Sequence, residues 1–246
     1  EMVELAETCV VETEPRLQAL FQRSFPGARI LARTEVADPR TQAPDMDVQT
    51  AMGDLPCWLR PSFDDFKPLG AYLEPDPGRT DDCRRRYDAL GPGVKVGISW
   101  HSKWDKRIGL EDWESILTAP GASFISLQYG DRGEEIAKAV SRFGVPIHYD
   151  SQIDPLKDMD GFAAQVAAMD AVITIDNSTL SVAAGLGRPV FAMIPKMADW
   201  RYTEYEGANP WHATLHQFRQ VRAGQWGDVI ENTARALGEF LEDFQE

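Results

Sequence analysis

The chain has 246 residues, 43% of them hydrophobic and 26% charged, which are the proportions of a folded globular protein able to bury a substantial core. A formal net charge of −14 repels polyanions and argues against general binding to nucleic acid or an anionic membrane surface. Three cysteines with no metal-like spacing (Cys9, Cys57 and Cys83) suit a reducing cytoplasm, and no apolar run reaches the length of a membrane span.

In chain order, 9–11 reads as a weak strand, 14–24 as a helix with Leu17, Leu20 and Phe21 on one side, and 28–32 as a strand. This is an αβ rhythm without its beginning, which fits a fragment of something longer. From 34 to 78 the periodicity fades while prolines accumulate at 39, 44, 56, 61, 68, 75 and 77, the signature of a functional loop or an interdomain linker. A charged helix over 80–90 closes at Gly91-Pro92-Gly93. There the sequence places a domain boundary, with a partial amino-terminal lobe and linker over 1–90 and a second lobe over 91–246.

Beyond the boundary, strands are predicted at 94–100, 123–127, 145–149, 171–175 and 190–194. Helices are predicted between them at 110–117, 133–143, 158–169 and 180–186. Strands separated by helices of this length imply parallel pairing with right-handed crossovers, hence an α/β, doubly wound, Rossmann-like sheet. A terminal helix follows over 226–244, with Val229, Ile230, Leu237 and Leu241 as its apolar stripe.

The most informative stretch is AVITIDNSTLSVAAGLGRP, residues 171–189. A β-branched strand runs into Asp176, Asn177, Ser178 and Thr179, then into a helix of small residues carrying Ser181 in its first turns. Backbone N–H groups, the positive end of a helix dipole and several hydroxyls converge at the carboxyl end of a sheet strand, a setting suited to phosphate. A capped turn without a ligand uses the same residue types.

After the strand at 94–100 come Ser99, His101, Ser102, Lys103, Lys106 and Arg107, a concentration of positive charge in an acidic protein and donors suited to a diphosphate. A solvated basic turn is the alternative. Gln128 and Tyr129 follow the next strand, where an amide and an aromatic ring can meet a base and ribose or simply hold the local backbone. Trp200 and Arg201, in the loop after 190–194, can line a cleft wall or anchor the loop. No G-x-G-x-x-G, G-x-x-x-x-G-K-S/T or G-x-S-x-G motif is present, and His212 and His216 lie in a segment read as loop into strand, so no metal site is expected.

Together, VGISWHSK, LEDW, SLQYGD, MDAVITIDNSTLSVAAGLGRPV, IPKMADWRY and HQFRQ resemble the carboxyl-terminal half of bacterial heptosyltransferase-like glycosyltransferases of the GT-B type. ETEPRLQALFQRSFPGARI and MGDLPCWLRPSF resemble the region preceding that half, so the similarity covers nearly the whole chain. Such domains often follow tetratricopeptide repeats. The resemblance implies two facing Rossmann-like lobes and a nucleoside-diphosphate sugar bound in the carboxyl-terminal lobe without metal or other cofactor. Lys103, Lys106 or Arg107 and the 177–179 turn would hold the diphosphate, and Gln128 and Tyr129 would lie near the base and ribose.

Two departures stand out. The family pattern D-x-S/T-x-x-H has Ser181 in place of its histidine, which removes a potential positive charge. The glycine-rich loop that often supplies a catalytic acid or base is missing, and Asp54 is the candidate in its stead. A catalytically degenerate module that binds nucleotide or a partner and a nucleotide-sugar epimerase share the expected fold and are the alternatives to sugar transfer onto an unidentified acceptor.

Overall fold

A computed structural model describes residues 1–102, 108–203 and 209–244. The chain opens with a short helix α1 (Met2–Leu5), strand β1 (Cys9–Thr13), helix α2 (Gln18–Ser24) and strand β2 (Ala28–Ala32), with β1 and β2 paired in parallel. The proline-rich stretch then runs mainly through short 3₁₀ turns at Pro39–Gln42, Met52–Asp54 and Phe63–Asp65, with one brief helix α3 (Leu55–Leu59). Helix α4 (Pro77–Asp88) starts on an Asp76 cap whose carboxylate accepts the Arg79 N–H, with proline at its first position.

The main sheet contains β3 (Val94–Ser99), β4 (Ala122–Ser126), β5 (Ile147–Tyr149), β6 (Ala171–Ile175), β7 (Val190–Ile194) and β8 (Leu215–Arg219). Its order is β5-β4-β3-β6-β7-β8, all parallel. Consecutive strands from β3 to β7 are joined by α5 (Glu114–Leu117), α6 (Gly133–Phe143), α7 (Met159–Ala167) and α8 (Ser178–Gly185), and α9 (Gly227–Asp243) follows β8. The chain therefore winds outward from β3 to β5 and then returns to the other side of β3 with β6. That reversal between β3 and β6 is the topological switch point, where sheets of this kind open a crevice at the strands' carboxyl ends.

Both faces of the sheet are covered. Val172, Val190, Ala192 and Ile194 pack with residues of α7 and α8, and Ile98, Ile173, Phe191 and Met193 pack with residues of α5 and α9. The expected stripe of α9 lies in the second cluster. Glycine is required where β3 meets its neighbours: a Cβ on Gly97 would lie 2.4 Å from Leu127 Cδ1. At Gly187, φ is +69° and a Cβ would come within 2.9 Å of Ala71, so the stop after α8 is fixed by both conformation and space.

The core continues across residue 90. Leu20 from α2 and Cys83 and Tyr87 from α4 belong to the same buried cluster as Phe162, Val166 and Val172. Ion pairs reinforce that seam: Arg23 forks onto Asp160 at 2.8 and 3.1 Å, and Arg79 forks onto Asp158.

Candidate functional site

Strand β3 ends at Ser99 and β6 at Ile175, neighbours in the sheet through the Ser99–Thr174 pair. The loops leaving them are tied together by amide side chains. Asn177 caps α8, its Oδ1 accepting from Thr179 N at 2.9 Å and from the Thr174 hydroxyl at 3.1 Å. Its Nδ2 consequently faces the other loop and donates to Ser99 Oγ at 2.8 Å and to His101 O at 3.3 Å. Ser99 Oγ donates in turn to Gln128 Oε1 at 3.1 Å and accepts from Thr179 Oγ1 at 3.4 Å.

Gln128 organises the loop after β3. Its Oε1 also accepts the Trp100 and His101 N–H groups, at 2.9 and 2.8 Å, and its Nε2 reaches the His101 and Tyr129 carbonyls at 3.3 and 3.4 Å. Ser99 is fully covered and Gln128 is 3% exposed, and Thr179 is buried beside them. The sequence allowed Gln128 either a ligand or the backbone; in the structure its amide is bonded to backbone groups and to Ser99 Oγ. Ser99, Gln128 and Thr179 are thus buried beneath the two loops, while His101, Ser102, Tyr129, Asn177 and Ser181 are half-buried and Ser178 is exposed at the helix start.

The Ser178 and Ser181 hydroxyls make no hydrogen bond among the described residues, and the first-turn N–H groups of an eight-residue helix lie beside them. The dipole of α8 adds positive potential at that end. Lys103, Lys106 and Arg107 lie outside the described residues. The ends of the segment that carries them are joined, with Ile108 N donating to Trp100 O at 3.2 Å.

Asp176 is buried and accepts from the Tyr202 hydroxyl at 2.7 Å. Burial raises the Tyr202 pKa, and the neighbouring Asp176 carboxylate raises it further, so this phenol stays a donor. Tyr202 is therefore an anchor of the loop after β7. Asp199 caps the 3₁₀ turn Trp200–Tyr202 and holds the Arg201 guanidinium at 2.7 Å, with Arg201 over the Tyr202 ring. Trp200 is 57% exposed and stands edge-on to Trp211, 5.8 Å between ring centres.

Asp54 is exposed at the end of its 3₁₀ turn, and no hydrogen bond or ion pair of its side chain is found among the described residues. His212 and His216 are not a pair: His212 stacks on Tyr72 and His216 on Phe191.

Four supporting residues have roles that escape notice in the sequence. The Trp100 indole donates to Glu135 Oε2 at 2.7 Å and Arg132 holds Glu135 Oε1 at 3.0 Å, which fixes the start of α6 beside Tyr129. Burial would raise the Glu135 carboxyl, but the Trp100 and Arg132 donors outweigh it and hold it below its usual range. Arg219, at the end of β8, donates to the Tyr202 carbonyl at 2.9 Å and to the Thr203 carbonyl. Trp100 and Arg219 lie in VGISWHSK and HQFRQ, whose spacing says nothing of these contacts, and Arg132 and Glu135 lie in no quoted motif.

No protein-family model matches the chain. Among curated proteins it is similar to Protein FlbA of Caulobacter vibrioides, 35% identical over 247 residues, a match covering 92% of this chain and 40% of FlbA. The chain thus spans well under half the length of that relative. Among solved structures it is similar to Escherichia coli ADP-heptose LPS heptosyltransferase II, with a TM-score of 0.54 and 13% identity over 77% of this chain and 59% of that one. It is also similar to the glycosyl transferase family 9 protein of Veillonella parvula, with a TM-score of 0.54 and 15% identity over 71% of this chain and 54% of that one. At such identities the likeness concerns architecture. The six-stranded parallel sheet is the Rossmann-like, GT-B-type sheet of those two glycosyltransferases.

Proposed function

We propose that this chain is the donor-binding portion of a glycosyltransferase, which takes a sugar from a nucleoside-diphosphate sugar and passes it to an acceptor without a metal ion. The observation that carries this reading is the Asn177–Ser99 hydrogen bond, 2.8 Å long, which joins the two switch-point loops into one rigid floor beneath the α8 N-terminus. A diphosphate on that floor meets the free N–H groups and the Ser178 and Ser181 hydroxyls, with Lys103, Lys106 and Arg107 supplied by the adjoining segment. Tyr129 and His101 stand edge-to-face 6.4 Å apart at the neighbouring strand end, in reach of a base or ribose.

The chemistry is substitution at the anomeric carbon. The bond from that carbon to the diphosphate oxygen breaks as the acceptor oxygen attacks, through an oxocarbenium-like transition state, and the nucleoside diphosphate leaves with the bonding electron pair. Preorganised donors and positive charge lower the barrier by stabilising the leaving diphosphate. Ser181 donates a hydrogen bond there but carries no charge, which leaves the charged role to Lys103, Lys106 and Arg107. The base that deprotonates the acceptor belongs to the other lobe, and tetratricopeptide repeats in the full-length protein would present the acceptor.

A thermal-shift and calorimetric screen against UDP, GDP, ADP, CMP and their sugar conjugates, without added metal, tests the donor reading. A ligand at one hundred times its dissociation constant stabilises the native state by about 2.7 kcal/mol, a readily measured rise in Tm. Selective binding of one base supports the proposal. A folded chain that binds none of them is a degenerate module, and sugar isomerisation without acceptor would mark an epimerase.

A further inference from the structure

Helix α8 is held at both ends, each by a different part of the chain. At its start Asn177 ties it to β3. At its finish the turn through Gly187 satisfies three of the last four carbonyls: Leu186 N–H donates to Val182 O, Gly187 N–H to Ala184 O and Arg188 N–H to Ala183 O, all at 3.0 Å. That leaves Gly185 O, to which the Tyr72 and Leu73 N–H groups both donate, each at 2.8 Å. The segment 69–74, at the end of the proline-rich stretch, thus completes the cap of a helix far along the chain.

The end of α8 is shaped to receive this strap. A Cβ at Gly185 would lie 2.7 Å from Leu73 Cδ1 and 3.1 Å from Tyr72 Cζ, and one at Gly187 would lie 2.9 Å from Ala71 Cβ. The two glycines are therefore a seat for residues 71–73 as well as a helix stop. The strap is also anchored on either side of that seat. Leu69 N–H donates to Trp211 O at 3.0 Å, and Leu69 O accepts from Ala213 N–H at 2.9 Å. Glu74 N–H donates to Ser24 Oγ at 2.9 Å, and Glu74 O accepts from Arg23 at 3.1 Å. The Tyr72 ring stacks on His212. Between the entry to β8 and the end of α2, the strap has little freedom.

The second half of α8 is Ala183, Ala184 and Gly185, whose small side chains form no ridge to interlock with a neighbour. The axial position of the helix is therefore decided at its ends. Eight residues make a rigid rod about 12 Å long, so a shift at the carboxyl end is passed to the first-turn N–H groups.

We propose that the strap 69–74 is a positioning element of the donor site, acting through Gly185. Its grip on Gly185 O sets where the first-turn N–H groups stand relative to the loop after β3, and so readies them for a diphosphate. This role rests on the donor reading given above. Coupling between two sites is reciprocal: a bound diphosphate must tighten the strap by the factor by which freeing the strap weakens the diphosphate. A strap that only stabilises the fold has no such response.

Amide hydrogen exchange of the chain, free and saturated with whichever of UDP, GDP and ADP binds it, tests the coupling. The Tyr72 and Leu73 amides should slow by about fivefold or more beyond the slowing of the β1 and β2 amides, which registers stabilisation of the fold at large. Gly185→Ala crowds Leu73, yet alanine favours helix over glycine, so α8 persists. It should speed exchange at 72 and 73 in the free chain and weaken the nucleotide by about the same factor. Circular dichroism checks that the variant is folded, and exchange in the unaltered chain decides the outcome if the variant does not fold or does not free the strap. Nucleotide binding with no extra protection at 72 and 73 overturns the positioning role and leaves the donor reading standing. So does an unchanged affinity in a folded Gly185→Ala whose 72 and 73 amides exchange faster. A folded chain that binds none of the three nucleotides overturns the donor reading, and the positioning role falls with it.

Discussion

Asn177 donates to Ser99 across 78 positions of sequence, at 2.8 Å, and the same side chain caps α8 through Thr179 N. One residue thereby sets the helix start and its position relative to β3. Asn177→Ala should cost about 1–2 kcal/mol in chemical unfolding from the lost cap. It should weaken nucleoside-diphosphate binding more than tenfold, because the loops are no longer held together. Asn177→Asp keeps the cap but removes the donor to Ser99 and adds negative charge, so it should restore most of the stability and little of the binding. Equal recovery of both quantities would contradict a role in binding.

Gln128 supports the same loop from beneath. Gln128→Ala leaves the Trp100 and His101 N–H groups without their acceptor, and one to three kcal/mol is typical for each buried group so abandoned. A total loss on the order of 3 kcal/mol is expected, read from urea unfolding. Hydrogen exchange at the 100 and 101 amides should accelerate far more than at β6. Uniform acceleration across the sheet would mean that Gln128 stabilises the fold at large rather than this loop.

How much of this was legible in the sequence follows from what each signal encodes. β2, β6 and β7 are read to the residue, because Ala171–Ile175 and Val190–Ile194 are unbroken buried runs bounded by turn residues. The helix expected over 110–117 divides into a 3₁₀ turn at Leu110–Asp112 and α5, since Trp113 adopts φ −90° and ψ 20° between them. Edge strand β8, Leu215–Arg219, carries His216, Gln217 and Arg219, so its apolar signal is weak. The location of the candidate site was readable because N-cap residues and a basic cluster mark strand ends. The division of labour within it was not. An amide, a hydroxyl or a tyrosine is equally suited to a ligand and to a backbone group, and only contacts such as Tyr202 to Asp176, 26 positions apart, decide between them.

The basic segment makes a prediction of its own. Lys106→Ala combined with Arg107→Ala should weaken nucleoside-diphosphate binding by at least tenfold and steepen no unfolding transition, leaving Tm nearly unchanged. The affinity of the unaltered chain should also fall as salt is raised, since attraction between charges in water is screened over about 8–10 Å at physiological ionic strength. Unchanged affinity in the double variant would make the segment a solvated turn.

Ser181 marks the departure from the histidine of the resembled family. Ser181→His places an imidazole on the half-buried first turns of α8, near the proposed diphosphate. Binding of the nucleoside diphosphate should tighten below pH 6.5, where the imidazole is charged, and return toward that of the unaltered chain above pH 7.5. A gain independent of pH would locate the benefit in packing rather than charge.

Asp150 follows the edge strand β5 and holds α4 to the sheet. Burial alone would raise the Asp150 carboxyl, but hydrogen bonds from Arg86, the Gln152 N–H and Tyr87 hold it below its ordinary value. A carboxylate depressed in the folded state contributes stability that is complete above the unfolded pKa, near 3.9, and is lost as pH falls through the folded value. Asp150→Asn should therefore cost about 2 kcal/mol at pH 7, less than the roughly 3–5 kcal/mol of a fully buried pair because the Arg86 side chain is 31% exposed. Below the unfolded pKa the gap between the two proteins should narrow, since the unfolded chain takes up the Asp150 proton before the folded chain does. Other acid-sensitive groups, such as Asp158 held down by Arg79, titrate alike in both proteins and cancel in the difference. Urea midpoints at pH 7, 5 and 3 measure it, and a gap that stays constant to pH 3 would show that the carboxylate charge contributes nothing to holding α4 on the sheet.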